Sequence, residues 1–283
     1  MNNIGGTVIL YQPSKEIIRN ILSYINQLEF LIVFDNSNNK SHKLQEKLKS
    51  ISDKIIFIDN SSNLGIAKCL NKAAQVAIER KVDWLLTMDQ DSFFEADIFA
   101  KYITKLEEAC NSYPNLSIFT LEHSENTTFT NNVSFELVRS AITSGSIIKL
   151  EYWKQLGGFE EKLFIDEVDT EYVFKNLVAK LDVVKCNNLF LVHQLGTTIQ
   201  TGYFGLISRS GRIIHSPHRI YFMVRNYLYI HKEYSKLLPI DVAIRRKNVM
   251  TSLKNNLLFS GKFFLVIKNI LMGYKDFLCS NYD

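Results

Sequence analysis

Runs of apolar residues alternate with stretches of helical period along the first third of the chain. Thr7-Val8-Ile9-Leu10-Tyr11 reads as a strand that breaks at Gln12-Pro13; Ser14 then caps a helix whose Ile17, Ile18, Ile21, Leu22, Ile25 and Leu28 fall on one face. Phe30-Leu31-Ile32-Val33-Phe34 is a second strand, ending in Asp35-Asn36-Ser37 before a charged helix around Leu44 to Leu48. A third, Ile55-Ile56-Phe57-Ile58, ends in Asp59-Asn60-Ser61-Ser62-Asn63 before a helix from about Gly65 to Glu79. The fourth, Trp84-Leu85-Leu86-Thr87-Met88, stops at Asp89-Gln90-Asp91-Ser92. Continuous apolar runs alternating with amphipathic helices predict right-handed βαβ units and a mostly parallel sheet covered by helices on both faces.

The strand ends carry the first candidate chemistry. In open α/β sheets ligands sit outside the carboxyl ends of the strands, which predicts that Tyr11, Asp35, Asp59 and Asp89 share one crevice. If the chain stays extended, Asp89 and Asp91 point the same way, and two hard oxygen ligands suit Mg²⁺ or Mn²⁺ carrying substrate phosphates. Asp, Asn and Ser are also ordinary residues of turns that follow strands. No Gly-x-Gly-x-x-Gly or Walker lysine loop follows the first strand, which disfavours dinucleotide and P-loop readings.

Beyond the first half, Ala141-Ile142-Thr143-Ser144-Gly145-Ser146-Ile147-Ile148 reads as a strand with a small-residue break, and Trp153 to Phe159 as a short helix and turn. Phe164-Ile165-Asp166-Glu167-Val168-Asp169-Thr170-Glu171-Tyr172 is the densest acidic stretch. On a helix running to about Lys180, Asp166 and Asp169 share one face and Glu167 and Glu171 another. Acids in a first helical turn also follow from the helix dipole. A carboxylate among carboxylates has its pKa raised toward the range of a general base.

Composition changes the picture only when the chain is divided. The formal charge is +4. Residues 1–206 hold 20 Lys+Arg against 25 Asp+Glu, and residues 207–283 hold 13 against 4. The basic tail is also rich in apolar and aromatic residues, so nucleic acid, an anionic membrane surface and a phosphate-bearing substrate are all candidate partners. Its helices, 240–259 and 263–272, mix apolar residues with Arg245, Arg246, Lys247, Lys254, Lys262, Lys268 and Lys275, which suits either a helix lying on a membrane face or a cap on the preceding domain. The four cysteines lack paired spacing and read as reduced thiols of a cytoplasmic protein. Neither a signal peptide nor a run long enough for a membrane span is visible.

Taken in order, Tyr11-Gln12-Pro13, Asp35-Asn36-Ser37, Asn63-Leu64-Gly65-Ile66-Ala67 with Asn71, and Met88-Asp89-Gln90-Asp91-Ser92 resemble the nucleotide-sugar half of family 2 inverting glycosyltransferases. The resemblance implies the Rossmann-like GT-A fold over about 1–235, with a nucleotide-sugar half at about 1–115, an acceptor half at about 116–235 and a basic helical extension over 236–283. It assigns Asp35 to the nucleobase, Asp89 to ribose or diphosphate, and Asp91 with Asp89 to the divalent cation; Tyr11, Gln12, Asn63 and Asn71 complete the donor site. Leu70 stands where many relatives have Arg, which shifts diphosphate neutralisation to the metal and other basic residues.

The acidic stretch resembles the Asp-x-Val-Asp-x-Glu-Trp signature of the rhamnosyltransferase-like branch, with Tyr172 replacing Trp and Lys175 replacing the usual Arg. In that alignment Asp169 is the catalytic base, supported by Asp166 and Glu171. His193-Gln194-Leu195-Gly196 and Arg219-Ile220-Tyr221-Phe222-Met223-Val224-Arg225-Asn226 resemble two further elements of the branch. They imply His193 as a metal or diphosphate contact, and Arg219 and Arg225 as donor or acceptor phosphate contacts.

The activity so implied is transfer of a sugar from dTDP-L-rhamnose to a saccharide or undecaprenyl-diphosphate-linked saccharide, in surface-polysaccharide synthesis at the cytoplasmic side of the cell membrane. Nucleic acid is not an implied partner. A UDP-glucose, UDP-galactose or UDP-GlcNAc transferase, a nucleotidyltransferase and a non-catalytic nucleotide-sugar binding module are the alternatives. The implied mechanism needs the strand-end acids and the turn near Asp169 to line one metal-bearing cleft.

Overall fold

The computed structural model describes residues 3–39, 41–124, 133–193, 198–201 and 207–281; for residues 193, 198–201 and 207–211 it describes the backbone. The chain divides into two compact units, Met1–Phe164 with Tyr172–Gln194, and Ile165–Glu171 with Leu195–Asp283. The acidic turn thus belongs to the same unit as the C-terminal helices.

The first unit opens with four strands, β1 (Ile4–Leu10), β2 (Leu31–Asp35), β3 (Ile55–Asp59) and β4 (Trp84–Asp89). They alternate with α1 (Ile17–Leu22), α2 (His42–Ile51) and α3 (Ile66–Glu79). The strands pair in the order β3-β2-β1-β4, all parallel, as the apolar runs predict. Every side chain of β2 is buried, the signature of a strand covered on both faces. Ser41 caps α2, its hydroxyl accepting the Leu44 N–H at 3.3 Å.

The first helix departs from its prediction. Ser14 is not its cap: Glu16 holds that position without a side-chain capping bond, and α1 ends at Leu22 instead of reaching Leu28. The Ser23 hydroxyl donates to the Asn20 carbonyl at 2.6 Å and accepts the Phe94 N–H at 3.0 Å, which diverts the chain into a short 3-10 turn, Ile25–Gln27. That bend lets Tyr24, Ile25 and Leu28 enter the core.

The second half of the sheet is mixed. It contains β5 (Ser92–Phe94), β6 (Leu116–Ser124), β7 (Ser134–Leu137), β8 (Ser146–Lys149) and β9 (Asp182–His193), with α4 (Ile98–Ser112), α5 (Leu150–Gln155) and α6 (Val168–Val178) between them. β8 inserts antiparallel between β4 and β6, and β9 pairs parallel to β6 while β5 and β7 run antiparallel to β9. The sheet is therefore all-parallel only in its first half and mixed in its second. The stretch 141–148 is a strand only from Ser146; before it, loop residues turn against the end of β4. On one face Phe94, Phe99, Tyr102 and Phe119 pack, with Tyr102 and Phe119 stacked at 4.8 Å and the Tyr102 hydroxyl donating to the Phe119 carbonyl at 2.8 Å. Each such ring contributes roughly 1.5–3 kcal/mol by leaving water.

In the second unit, β10 (Thr198–Thr201) and β11 (Ile207–Ile213) form an antiparallel pair, followed by α7 (Pro217–Tyr234), α8 (Pro239–Phe259) and α9 (Phe263–Leu278). Ser216 caps α7 by accepting the Arg219 N–H at 3.2 Å, with Pro217 in the first turn, where its missing N–H is not needed. Ile220, Met223, Val224 and Tyr227 of α7 pack with Val249 and Leu253 of α8 and Val266 of α9. No helix among the described residues is long and apolar enough to cross a membrane.

Candidate active site

Parallel pairing puts four polar strand ends on one edge of the sheet. Leu10 aligns with Asp35, Asp35 with Asp59, and Ile9 with Asp89. Neighbouring strands lie about 4.8 Å apart, so these groups form a short row. Side chains hold the row in place. The Gln90 amide bridges to the main chain of Tyr11, accepting its N–H at 2.8 Å and donating to its carbonyl at 3.2 Å, while the Asn20 amide donates to the Gln90 carbonyl at 2.8 Å. The Gln12 N–H donates to the Ser37 hydroxyl at 2.8 Å, and Gln12 takes a left-handed φ of 48°. Asn60 donates to Asn36 at 2.8 Å, and Gly65 N–H donates to the Asn63 side chain at 3.0 Å.

Within this row the predicted donor residues differ in exposure. Asp35 is buried and accepts the Ser37 N–H at 2.9 Å, whereas Tyr11, Gln12 and Asp59 are exposed. Asp89 ends β4 half-buried and Asp91 is exposed in the turn that follows. The expectation that both point one way along an extended chain does not hold, because the strand stops at Asp89 and Gln90-Asp91 are a turn. The Asp89 N–H donates to the Ser144 hydroxyl at 3.3 Å, and that hydroxyl donates to Ser92 at 2.8 Å, so the small residues of 143–146 brace this turn.

Asn71 lies in α3 and spends its amide on the scaffold. Its nitrogen donates to the Phe159 carbonyl at 2.9 Å and to Glu161 at 3.0 Å, and its oxygen accepts from Phe159 N–H at 2.9 Å and Trp153 at 3.3 Å. Two donors and two acceptor sites are then used. Leu70 is buried in the core face of the same helix. At the start of α3, Gly65 has φ 78° and a Cβ there would sit 2.8 Å from the Phe164 carbonyl, which also accepts the Ile66 N–H at 2.6 Å; only glycine fits.

Two carboxylates do not enclose a cation by themselves, and the described residues contain no group of three or more His, Cys, Asp or Glu that would hold one. Hard carboxylate oxygens of Asp89 and Asp91 do fit Mg²⁺ or Mn²⁺, ions that keep water and substrate phosphate in much of their coordination sphere. The backbone of His193 pairs with Ser92, beside Asp91; its side chain, and Gln194-Leu195-Gly196, lie outside the described residues.

In the second unit the acidic stretch is a bent turn at Asp166-Glu167 that leads into the first turn of α6, which carries Asp169 and Glu171. Asp166 and Glu167 have φ of 59° and 63°, and α6 begins only at Val168, so the expectation that Asp166 and Asp169 share a helical face fails. Consecutive non-glycine residues in the left-handed region are strained and persist where surroundings over-determine them. Here the buried Asn226 amide donates to the carbonyls of Ile165 and Asp166 at 2.7 and 3.0 Å.

Three of the four acids in this turn have strong partners. Arg219 grips Asp166 through contacts of 2.9 to 3.2 Å. Arg245 of α8 grips the buried Glu167 at 2.6 to 2.8 Å. The Tyr234 hydroxyl donates to the buried Glu171 at 2.7 Å. Among the described residues Asp169 takes hydrogen bonds from Thr170 alone, from its N–H at 2.7 Å and its hydroxyl at 3.4 Å. Burial pushes the Asp169 carboxyl above the usual carboxylate range; Arg245 and the Thr170 N–H oppose the shift and Asp166 adds to it. Burial also pushes Glu167 upward against the opposing pull of Arg245, whose own proton the pair holds on.

Arg225, expected as a phosphate contact, is 1% exposed; it donates to Asn226 at 3.1 Å and to Tyr221 at 3.3 Å, with its guanidinium over the Phe222 ring at 5.0 Å. It therefore supports the amide that clamps the acidic turn. Arg245, Tyr234, Gln90 and Ser144 were not foreseen. For Arg245 a signal existed, since it falls at helical spacing on the buried stripe Val242, Val249, Leu253 and Asn256 of α8.

Comparison with known proteins bears on the family and the fold. Residues 7–155 match the model of the family described as Glycosyl transferase family 2. The chain is 26% identical to the dTDP-rhamnosyl transferase RfbF of Shigella flexneri over 262 residues, 84% of this chain and 83% of that one. Among solved structures, GalNAc-T7 with UDP, GalNAc and Mn²⁺ superposes with a TM-score of 0.63 at 10% identity, covering 98% of this chain and 56% of that one. The Pyrobaculum calidifontis mannosyltransferase PcManGT, in complex with GDP-Man and Mn²⁺, gives 0.57 at 13% identity, covering 98% and 87%. Residues 1–349 of S. aureus TarS with UDP-GlcNAc give 0.55 at 13% identity, covering 98% and 80%. These likenesses identify the GT-A fold, with a curled mixed sheet flanked by helices and a helical C-terminal region.

Proposed function

The chain belongs to glycosyl transferase family 2 and is a glycosyltransferase; from that premise we propose that it is an inverting, metal-dependent enzyme moving L-rhamnose from dTDP-L-rhamnose to a saccharide acceptor. The acceptor is free or carried on undecaprenyl diphosphate, and the setting is bacterial surface-polysaccharide synthesis on the cytoplasmic side of the membrane. The rhamnosyl donor is supported by the similarity to dTDP-rhamnosyl transferase RfbF across most of both chains.

One observation carries the mechanism. Among the described residues Asp169 is the acid of its turn that accepts hydrogen bonds only from the adjacent Thr170, and burial raises its pKa. Such a group takes the proton of an acceptor hydroxyl as that hydroxyl attacks the anomeric carbon, with the nucleoside diphosphate leaving from the opposite side. Asp166 and Glu171, each held by its own partner, position that turn. Asp35 binds the base, and Tyr11, Gln12 and Asn63 shape the walls around the nucleotide. Asn71 acts through the 153–161 segment that it anchors.

Asp89 and Asp91, with His193, would hold a divalent cation, which when bound neutralises charge developing on the leaving diphosphate. Arg219 takes a supporting share of the phosphate charge, and Arg225 acts through Asn226.

The test is a thermal-shift panel of dTDP-rhamnose, dTDP, UDP-glucose, UDP-galactose, UDP-GlcNAc and UDP, each with and without Mn²⁺. The expected result is Mn²⁺-dependent stabilisation, largest for dTDP compounds. Preference for a UDP-sugar selects the hexosyltransferase alternative; stabilisation by none overturns the transferase site. Asp169→Asn is expected to keep donor binding and to lose turnover by about 10²–10⁴-fold, the usual contribution of a general base. A non-catalytic binding module would show no turnover to lose.

A further inference from the structure

Helix α9 is apolar on two sides, and among the described residues only one of them is packed. Its inner side carries Val266 and Gly273, both buried, and packs on α7 so closely that a Cβ at Gly273 would sit 2.6 Å from the Tyr221 carbonyl. Its other side carries Phe264, Ile267, Lys268, Leu271, Met272 and Lys275, which line one shallow open groove. These positions recur three and four apart, the spacing of a continuous helical stripe. Phe264 is 85% exposed and Leu271 61%. A helix with large residues in water on one side and a packed core on the other has a second surface with something to bury.

Charge says what that something is. The acids of α8 and α9 are Asp241 and Asp276; Asp241 is buried and Asp276 is half-buried, accepting the Tyr221 hydroxyl at 2.9 Å. Arg246, Lys247, Lys254, Lys262, Lys268 and Lys275 are all exposed. The two helices thus present water with cations and apolar side chains, and with no fully exposed acid. Lysines beside an aromatic and aliphatic stripe match a surface with anionic headgroups above an apolar layer, the lysine stems lying along the boundary and the ammonium groups reaching outward.

We propose that the outer stripe of α9, centred on Phe264, Lys268, Leu271 and Lys275, docks the protein on an anionic lipid bilayer surface without crossing it. This does not depend on the transferase reading.

The experiment is co-sedimentation of the full chain, at low salt, with vesicles of about 3:1 phosphatidylcholine to phosphatidylglycerol and with phosphatidylcholine alone. Binding is expected to the anionic vesicles and to fall sharply in phosphatidylcholine or at high salt. Lys268→Gln/Lys275→Gln should weaken it about 30-fold, since each lysine near such a surface is worth roughly fivefold in affinity. Phe264→Ser/Leu271→Ser should abolish it, and both variants lie on exposed positions and are expected to retain the wild-type melting temperature. Failure of the wild type to bind anionic vesicles overturns the proposal, as does undiminished binding by Phe264→Ser/Leu271→Ser. So does concentration-dependent self-association, abolished by that variant and unaffected by vesicles, which would give the stripe to a second copy of the chain.

Discussion

The acids at the strand ends of the first unit and the acids of the 166–171 turn are held in opposite ways. Asp35, Asp59 and Asp89 are delivered by parallel strands, and the bonds described for their loops include amides, hydroxyls and main chain, as with Gln90 to Tyr11 and Ser37 to Asp35. In the turn of the second unit, Asp166 and Glu167 are held by guanidinium groups from α7 and α8. A row of groups at the open edge of a sheet suits a ligand that brings its own charge and cation. A buried, paired cluster suits a single carboxylate whose proton affinity must be set. The difference teaches that one site is positioned by backbone geometry and the other by charge pairing with helices 53 and 78 residues later in the chain.

That contrast can be broken most forcefully at Arg245. Arg245→Met leaves Glu167 buried without its partner, and the expected loss is about 3–5 kcal/mol of unfolding free energy by denaturant titration. Glu167→Met/Arg245→Met, which removes both charges, should recover most of it. The pair whose arginine is open to solvent offers the control: Arg219→Ala should change stability by no more than about 1 kcal/mol. Equal losses at the two arginines would mean that pairing with α8 does not hold the turn.

A smaller effect is expected in the first unit, where Asn71→Ala removes four bonds to the 153–161 segment. Unpaired Phe159 groups at a half-buried site predict about 1–3 kcal/mol of destabilisation. Donor affinity should fall through loosening of that segment, so Asn71→Asp, which retains part of the network, is expected to fall between wild type and Asn71→Ala in both melting temperature and affinity.

The smallest effect is a pH dependence. Burial raises the Asp169 pKa in the folded chain, so the folded state keeps a proton that the unfolded state has already released. The stability contributed by that proton is present below the unfolded pKa and is lost as pH rises through the folded value. Asp169→Asn should therefore gain on wild type as pH rises across that window, by up to about 1 kcal/mol, in melts at matched ionic strength. Turnover of the wild type should rise with pH through the same window, since the base works only when unprotonated. A stability difference that is flat with pH would show that Asp169 is not lifted by its surroundings.

Much of the first unit was legible because its order is local. Apolar runs ending at Asp35, Asp59 and Asp89, with amphipathic helices between them, admit few arrangements other than parallel strands with their acids on one edge, and the same residues carry the family resemblance. The Ser14 cap and the strand before Ser146 misled, because Ser23 and the Thr143–Ser146 loop found partners on distant strands that outweighed local preference.

The resemblance of the acidic stretch to the family signature supplied the candidate base at Asp169; from the amino-acid order alone came the strand and helix alternation, the acids at the strand ends and the basic character of the last helices. Each depends on side-chain period or on residues adjacent in the chain. Tertiary structure decided the antiparallel insertion of β8, the full use of the Asn71 amide, the left-handed turn at Asp166 and Glu167, and the pairing that leaves Asp169 outside the grip of either arginine. Those depend on which distant groups meet when the core closes, and hydrogen bonds and ion pairs of long sequence separation are selected by packing, not by neighbours in the sequence.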